Sequence, residues 1–276
     1  MAESDREEDT APRGCLILIG GGEDRDPAGQ RSILREIAGR VRGGKLVLAT
    51  IASQEPEGYL EDYQRAFADL GIGELIHLYV SERSEAGDFE KVRALDDAAG
   101  IFFSGGDQLR IISQIGDSGI EAKVRSLYQR GGVVAGTSAG AAVMSENMLV
   151  RGSSSVSHRI GDVQIAPGLG LIRDVIVDQH FAQRGRFGRL MGAVALNSRE
   201  LGLGIDEDTA VIVEGDHFEV LGSGAAYVVD GSTMTYNNIS EEHLDRVLSM
   251  HTMTVHILGH GDRFDLATRR PVHLHD

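Results

Sequence analysis

The sequence has few of the features that indicate disulfide cross-links, secretion or a membrane span. Its single cysteine, Cys15, cannot form an internal disulfide, and its place in the apolar segment Cys15–Ile19 predicts a buried core residue. No apolar run approaches the roughly 18 residues that would cross a bilayer, and no signal-peptide segment precedes the first predicted strand. From these absences we expect a cytoplasmic protein.

Positive charge is also scarce. The chain has 27 lysines and arginines against 42 aspartates and glutamates, which gives a formal net charge of −15. An acidic surface repels nucleic acid and anionic membranes unless a local basic patch intervenes, so we expect neither as a partner. Such a surface is compatible with cationic or zwitterionic substrates.

The length and composition predict one folded unit with a short tail. With 276 residues, of which 41% are hydrophobic, the chain can bury a substantial core, and no repeat or low-complexity linker divides it. Residues 1–13 are polar and mostly charged, so we predict a disordered acidic tail there. Residues 14–276 are predicted to form a single α/β domain.

Short apolar runs alternate with amphipathic helical patterns through the first two hundred residues. This alternation is typical of a three-layer α/β fold, in which helices flank a mostly parallel sheet. After Thr209, short apolar segments joined by glycine turns predict an antiparallel C-terminal extension. The predicted parallel strands are Cys15–Ile19, Lys45–Ile51, Leu75–Tyr79, Gly100–Phe103, Val133–Ala135, Val175–Asp178 and Gly202–Ile205. The predicted helices are Gln30–Val41, Glu57–Leu70, Asp88–Asp96, Gln108–Ile115, Ile120–Arg130, Ala139–Asn147 and Phe187–Leu196.

The segment Gly136–Gly140 places Ser138 between two glycines, where a predicted strand gives way to a predicted helix. A serine on such a turn projects its hydroxyl above the sheet, and the glycines remove side chains that would collide there. Ser138 is therefore a candidate nucleophile. A Gly-x-Ser-x-Gly segment also arises by chance in a chain with 36 glycines, so the partner residues decide its meaning.

A serine nucleophile needs a base and a group that orients the base. His180 follows a predicted strand almost directly, so it lies on the same rim of the sheet as Ser138. The run Asp206-Glu207-Asp208 follows the next predicted strand and supplies an acidic orienter. The residues alone leave open which of these three carboxylates faces the histidine.

The chain order serine, histidine, acid differs from the order serine, acid, histidine of α/β-hydrolases. It suits the class I glutamine amidotransferase-like architecture, which is flavodoxin-like. Several separated motifs together resemble the cyanophycinase family of serine peptidases: Gly20–Asp24, Phe103–Gln108, Gly136–Ala141, Asp178–Phe181 with the following arginines, and Gly204–Glu207 with Thr209-Ala210.

The resemblance spans nearly the whole predicted domain and implies a function. Ser138 would be the nucleophile, His180 the general base and Glu207 the orienting acid. The family implies an exopeptidase that hydrolyses cyanophycin, an arginine-substituted poly-aspartate, to β-Asp-Arg dipeptides through an acyl-enzyme. It also implies a homodimer.

Acyl transfer requires donors for the developing oxyanion. The backbone N–H of Ala139, next to the nucleophile, is one candidate, and the Gly105-Gly106 loop supplies the other through Gly106. We predict substrate contacts from the polar and charged residues near these loops, because guanidinium groups bind carboxylates in a bidentate fork. These residues are Asp107, Gln108, Asp178, Gln179, Arg184, Arg186 and Arg189. An open alternative is that Asp107, Gln108 and Gln179 cap their own helices.

The remaining motifs do not indicate a cofactor or a metal. A dinucleotide-binding Gly-x-Gly-x-x-Gly pattern would need glycine where Arg25 stands, so we reject NAD binding. The histidines lack a metal-ligand spacing on one helical face. Two rival functions stay open: an α-aspartyl dipeptidase of the peptidase E type, and a non-catalytic protein that binds the polymer.

Overall fold

The structure, a computed structural model, describes residues 14–152, 159–240 and 244–272. The tail predicted at residues 1–13 lies outside the described residues, and the single domain over residues 14–276 stays a prediction. The strands are β1 Cys15–Ile19, β2 Lys45–Ala49, β3 Glu74–Leu78, β4 Ala98–Phe103, β5 Val133–Thr137, β6 Asn147–Arg151, β7 Gln164–Pro167, β8 Val175–Gln179, β9 Leu201–Ile205, β10 Thr209–Glu214, β11 His217–Gly222, β12 Ala226–Asp230, β13 Tyr236–Asn237, β14 Met250–His251, β15 Thr254–Leu258, β16 Arg263–Asp265 and β17 Arg270–Val272. The α-helices are α1 Ser32–Val41, α2 Pro56–Phe67, α3 Phe89–Arg93, α4 Gln108–Ile115, α5 Gly119–Gln129, α6 Ala139–Ala142 and α7 Phe187–Leu196.

The larger sheet has nine strands in the order β17-β16-β11-β10-β1-β5-β4-β2-β3. The five strands from β1 to β3 in this order are parallel. Strand β10 pairs antiparallel with β1, and β11, β16 and β17 continue the antiparallel part. The predicted α/β fold with an antiparallel extension is confirmed.

A second sheet of four strands, in the order β15-β12-β9-β8, was not predicted. Strands β8 and β9 pair parallel with each other, and β12 and β15 add antiparallel. The sequence placed 175–178 and 202–205 in the main parallel sheet, which is wrong. An apolar run shows that a strand is buried on both faces, but it does not show which sheet the strand joins.

Helices cover the main sheet on both faces because side chains alternate along each strand. Ile17 and Ile19 of β1 pack with Ile33 of α1 and Tyr63 of α2. Leu16 and Leu18 of the same strand point to the opposite face, into the cluster that includes residues of α4, α5, α6 and the second sheet. Helix α7 covers the far face of the second sheet.

The helix after Ser138 is shorter than predicted. It ends at Ala142 rather than at Asn147, because the following carbonyls accept hydrogen bonds from a distant segment. The carbonyls of Val143 and Met144 accept from the N–H groups of Leu169 and Leu171, at 2.6 and 2.9 Å. The chain then continues as β6. No helix in the described ranges is long and apolar enough to span a membrane.

Candidate active site

The site lies where the loop after β1 meets the ends of β5, β8 and β9. Three consecutive carbonyls, those of residues 19–21, accept hydrogen bonds from the N–H groups of Ser138, His180 and Asp208 at 2.9, 2.8 and 2.8 Å. One loop therefore fixes the backbone of all three segments that carry the predicted catalytic residues. This arrangement brings side chains from both sheets to one place.

Ser138 occupies a strained turn between β5 and α6. Its backbone has φ 54° and ψ −112°, a conformation that non-glycine residues rarely adopt. Both flanking glycines are packed too closely for a side chain: a Cβ atom at Gly136 would lie 2.3 Å from the carbonyl oxygen of Gly140. At Gly140 it would lie 2.3 Å from the carbonyl oxygen of Phe103. A strained serine held this tightly is typical of a functional turn.

The side chains of Ser138, His180 and Glu207 form a connected row. Nε2 of His180 lies 3.0 Å from Oγ of Ser138, and Nδ1 of His180 lies 2.6 Å from Oε1 of Glu207. When Nδ1 carries the ring proton and donates a hydrogen bond to the carboxylate of Glu207, Nε2 is free to accept the serine proton. The three residues predicted as the catalytic set are therefore within hydrogen-bonding distance.

Burial lowers the pKa of His180, and the carboxylate of Glu207 opposes this shift by raising it. The positive charge of Arg184 adds to the lowering. A histidine with a lowered pKa stays neutral at physiological pH, which is the form that accepts a proton.

The two acidic neighbours of Glu207 have structural contacts instead. Asp206 is buried, and its carboxylate accepts the backbone N–H groups of Ala182 and Ala225, at 2.9 and 3.2 Å. Oδ2 of Asp208 accepts from the hydroxyl of Ser223 at 2.7 Å. Of the three adjacent carboxylates, only Glu207 contacts the imidazole in the described structure.

Glycines in the β1 loop leave room for the histidine and the glutamate. A Cβ atom at Gly21 would lie 2.3 Å from Cε1 of His180, and one at Gly22 would lie 3.1 Å from Oε2 of Glu207. The backbone of this loop is thus the wall against which the imidazole packs. Gly21 also has φ 101°, which side-chain-bearing residues seldom adopt.

The Gly105-Gly106 loop lies beside the nucleophile. A Cβ atom at Gly105 would lie 3.5 Å from Cβ of Ser138. Gly106 has φ 141°, and a Cβ atom there would lie 2.2 Å from the carbonyl oxygen of Ala52. In the described part of the chain the N–H groups of Gly106 and Ala139 donate to no protein acceptor. These two groups, predicted as oxyanion donors, stay available for a ligand.

Four residues predicted to contact substrate are bonded to one another in the interior. Arg189 donates through Nε to Oδ2 of Asp178 at 2.7 Å and through its terminal nitrogen to the other oxygen. Arg186 contacts the same carboxylate at 3.3 Å and donates to the carbonyl and side chain of Gln179. Burial lowers the pKa of Arg186 to about 10.

This network differs from the prediction of free groups that bind substrate. Asp178 has 1% of its side chain exposed, and Arg186 and Arg189 have 11% and 10%. The two arginines compensate the negative charge of the buried Asp178 carboxylate and donate hydrogen bonds to its oxygens. Arg184, by contrast, is exposed on the rim near His180.

Asp107 and Gln108 also have structural partners. The carboxylate of Asp107 accepts the N–H of Leu109 at 2.9 Å and caps α4, as the open alternative held. The side-chain amide of Gln108 donates to the carbonyl oxygen of Leu149 at 2.9 Å. Asp107 itself is exposed on the same loop as Gly106.

A cleft that the sequence analysis missed opens next to the Gly105 loop. Its volume is about 560 Å³, and its lining includes Arg25, Glu55, Tyr59, Glu61 and Asp62. The hydroxyl of Tyr59 lies 3.5 Å from the Cβ position of Gly105, which connects the cleft to Ser138. Residues 55, 59 and 62 share one face of the start of α2, and this i, i+4, i+7 spacing is the signal that could have found it.

Comparisons with known proteins agree with this geometry. A family model for peptidase family S51 matches residues 16–221. A cyanophycinase of Geminocystis herdmanii is 37% identical over 264 residues, covering 94% of this chain and 96% of the relative. A cyanophycinase of a Nostoc species is 38% identical over 263 residues, covering 94% and 88%.

Two solved structures resemble the fold. A peptidase from an acI-B1 actinobacterium matches with a TM-score of 0.67 at 24% identity, covering 88% of this chain and 97% of that one. A putative peptidase E protein from Listeria monocytogenes matches with a TM-score of 0.53 at 16% identity, covering 77% and 100%. The family model and the similarity to the curated relatives together show that this chain belongs to peptidase family S51 and is a serine-type peptidase.

Proposed function

We propose that this protein is a cyanophycinase, a serine exopeptidase that hydrolyses cyanophycin to β-Asp-Arg dipeptides. The observation that carries the proposal is the row of Ser138, His180 and Glu207, with separations of 3.0 and 2.6 Å. The names of relatives that are 37% and 38% identical to this chain supply the substrate class.

In the proposed mechanism, Oγ of Ser138 attacks the scissile carbonyl carbon while Nε2 of His180 takes the hydroxyl proton. Glu207 keeps the proton of Nδ1 in place and stabilises the imidazolium. The N–H groups of Gly106 and Ala139 bind the oxyanion of the tetrahedral intermediate. The imidazolium then protonates the leaving amine. In the second half of the reaction, His180 takes a proton from water as the water attacks the acyl-enzyme, and it returns that proton to Oγ of Ser138.

The charges around the serine suit this substrate. Each arginine unit of the polymer carries a free carboxylate and a guanidinium. We assign carboxylate binding to the exposed Arg184, and we assign the cationic side chains to the cleft lined by Glu55, Glu61 and Asp62. Asp107, which is exposed beside Gly106, and the adjacent Gln108 complete the proposed substrate contacts.

The buried residues Asp178, Gln179, Arg186 and Arg189 act differently in this proposal. Because their hydrogen bonds are made with one another, we assign them to holding the segment that carries His180 rather than to direct contact with the polymer.

The test is to give purified protein cyanophycin and follow dipeptide release by mass spectrometry. Wild-type protein is expected to release β-Asp-Arg, and the Ser138→Ala variant is expected to release none above background. A Ser138→Ala variant with full activity would overturn the mechanism.

The two rival functions are separated by further substrates and a probe. A peptidase E type enzyme would cleave small α-aspartyl dipeptides in preference to cyanophycin, and the relatives named above do not favour it. A non-catalytic polymer-binding protein would bind cyanophycin without turnover and would not be labelled at Ser138 by a fluorophosphonate. We also propose a homodimer in the cytoplasm, and light scattering of the purified protein tests the dimer.

A further inference from the structure

Glu23 is a buried carboxylate that the proposed mechanism does not use. It lies in the glycine-rich loop after β1, and only 5% of the residue is exposed. Its Oε2 accepts a hydrogen bond from the hydroxyl of Thr137 at 2.6 Å, and its Oε1 accepts one from the hydroxyl of Tyr63. Burying a carboxylate is costly unless it is hydrogen-bonded, so this pair of hydroxyl donors is what allows Glu23 to stay inside.

These hydrogen bonds join three walls of the site. Thr137 is the last residue of β5 and directly precedes Ser138. Tyr63 belongs to α2, the helix that also lines the acidic cleft, and its ring packs 4.7 Å from that of Phe102 in β4. Glu23 itself lies two residues after Gly21, against which His180 packs.

The position of Ser138 depends on its neighbours because its backbone is strained. A residue with φ 54° keeps that conformation only when the surrounding contacts hold it. Its own N–H bonds to the carbonyl of Ile19 at 2.9 Å, and the side chain just before it is fixed by Glu23. The same short loop thus holds the nucleophile on one side and the base on the other.

We propose that Glu23 is a positioning residue for the peptidase reaction: by binding the hydroxyls of Thr137 and Tyr63, it fixes the strained Ser138 turn relative to His180. This inference rests on the proposed serine mechanism but not on the identity of the substrate. Glu23 contacts neither of the reacting side chains, so its effect passes through Thr137.

The two hydrogen-bond partners of Glu23 are hydroxyl groups, and each donates to one of its carboxylate oxygens. Burial and the neighbouring Glu23 raise the pKa of Tyr63, so its hydroxyl keeps its proton and donates. Both partners of Glu23 are then donors, and a carboxylate accepts both. A glutamine of the same shape presents an amide NH₂ to one of them, so one hydrogen bond must reverse or break.

Four variants test the proposal: Glu23→Gln, Thr137→Val, Tyr63→Phe and Thr137→Ser. The first readout is the second-order rate of fluorophosphonate labelling of Ser138, which needs no knowledge of the substrate. The second readout is the separate measurement of kcat and KM with cyanophycin as substrate. We expect Glu23→Gln and Thr137→Val to lower kcat and the labelling rate by about 10- to 100-fold with KM nearly unchanged, since small displacements of a reacting group have effects of this order.

Thr137→Ser keeps the hydroxyl, so this variant is expected to retain most of the wild-type labelling rate. The double variant Glu23→Gln with Thr137→Val is expected to be no slower than the worse single variant, because both changes remove the same interaction. The matched control is Glu200→Gln. Glu200 is also a buried carboxylate, bonded to Asn147 at 2.6 Å, but it lies just before β9, at the opposite end of that strand from Glu207. The Glu200→Gln variant should change thermal stability without changing the rate of fluorophosphonate labelling.

Folded Glu23→Gln or Thr137→Val protein that labels at the wild-type rate would overturn the proposal, as would an equal loss of labelling in Glu200→Gln. If Glu23→Gln does not fold, Thr137→Val and Tyr63→Phe give the same test. If wild-type protein labels as expected but releases no dipeptide from cyanophycin, the assigned substrate fails, and the labelling rates still decide the role of Glu23.

Discussion

The two sheets contribute different halves of the catalytic row. Ser138 follows β5, a central strand of the nine-stranded sheet with β1 and β4 on either side. His180 and Glu207 follow β8 and β9 of the four-stranded sheet, and β8 is an edge strand of that sheet. Because the halves belong to different sheets, no strand register fixes the 3.0 Å between serine and histidine. The segment made of Ile19, at the end of β1, and the following Gly20 and Gly21 does so, through three consecutive carbonyls.

The largest expected effect comes from removing the base. We predict that His180→Ala and Ser138→Ala each lower kcat/KM by more than about 10³-fold, because nucleophile and base act as one unit. The double variant should be no slower than either single variant. The measurement is dipeptide release under conditions where substrate is below KM. If the double variant instead lost activity by the product of the two single losses, Ser138 and His180 would not act in the same step.

The next effect comes from disturbing the junction between the sheets. We predict that Gly21→Ala lowers kcat/KM by about 10²-fold, because the new methyl group would lie 2.3 Å from the imidazole and must displace it. Activity and thermal unfolding are measured on the same preparation.

Gly131→Ala is the matched control for this prediction. Gly131 has φ 95°, close to the 101° of Gly21, but has no atom within 4 Å of its Cβ position. It carries the same backbone strain without the contact, so it should lose stability by about 1 kcal/mol and keep its activity. Equal activity losses in the two variants would show that strain, and not the contact with His180, is responsible.

A smaller effect is expected at the acid. Glu207→Gln should lower kcat by roughly 10- to 100-fold, since 40% of this side chain is exposed and water partly replaces its role. It should also move the acid limb of the kcat/KM profile to lower pH. The carboxylate raises the pKa of His180, so its loss lowers that pKa and the base stays neutral to a lower pH. An acid limb that moves to higher pH would contradict the assignment of Glu207.

The sequence located the strand ends that carry Ser138 and His180, but not the sheet to which the strand before His180 belongs. Ser138 and His180 could be found because each follows an apolar strand directly, which is a local pattern. The choice of Glu207 over its neighbours depended on resemblance, because the three carboxylates are alike in sequence. What separates them is long-range: Asp206 bonds to residues near 182 and 225, and Asp208 is held by the β1 loop in a left-handed conformation with φ 49°.

The arginines show the same limit. The sequence presents Arg184, Arg186 and Arg189 as one basic cluster, and only the fold reveals that Asp178 buries two of them. A residue's distance along the chain does not report which face of a segment turns inward. The sequence motif therefore did not show that Asp178, at the end of β8, pairs with Arg186 and Arg189 in the interior.

The smallest predicted effect concerns Arg184, the exposed arginine of this cluster. It acts on His180, which follows the four-stranded sheet, and not on Ser138. The positive charge of Arg184 lowers the pKa of His180, so Arg184→Ala should raise that pKa and move the acid limb of the kcat/KM profile to higher pH. This shift is opposite in sign to that of Glu207→Gln. Because Arg184 is exposed, added salt should reduce the difference between the variant and wild-type profiles. Fluorophosphonate labelling measured against pH reports the same limb without the polymer, so it separates the charge effect on His180 from any loss of substrate binding. If the labelling limb does not move while KM for cyanophycin rises, Arg184 contacts substrate only and does not tune the base.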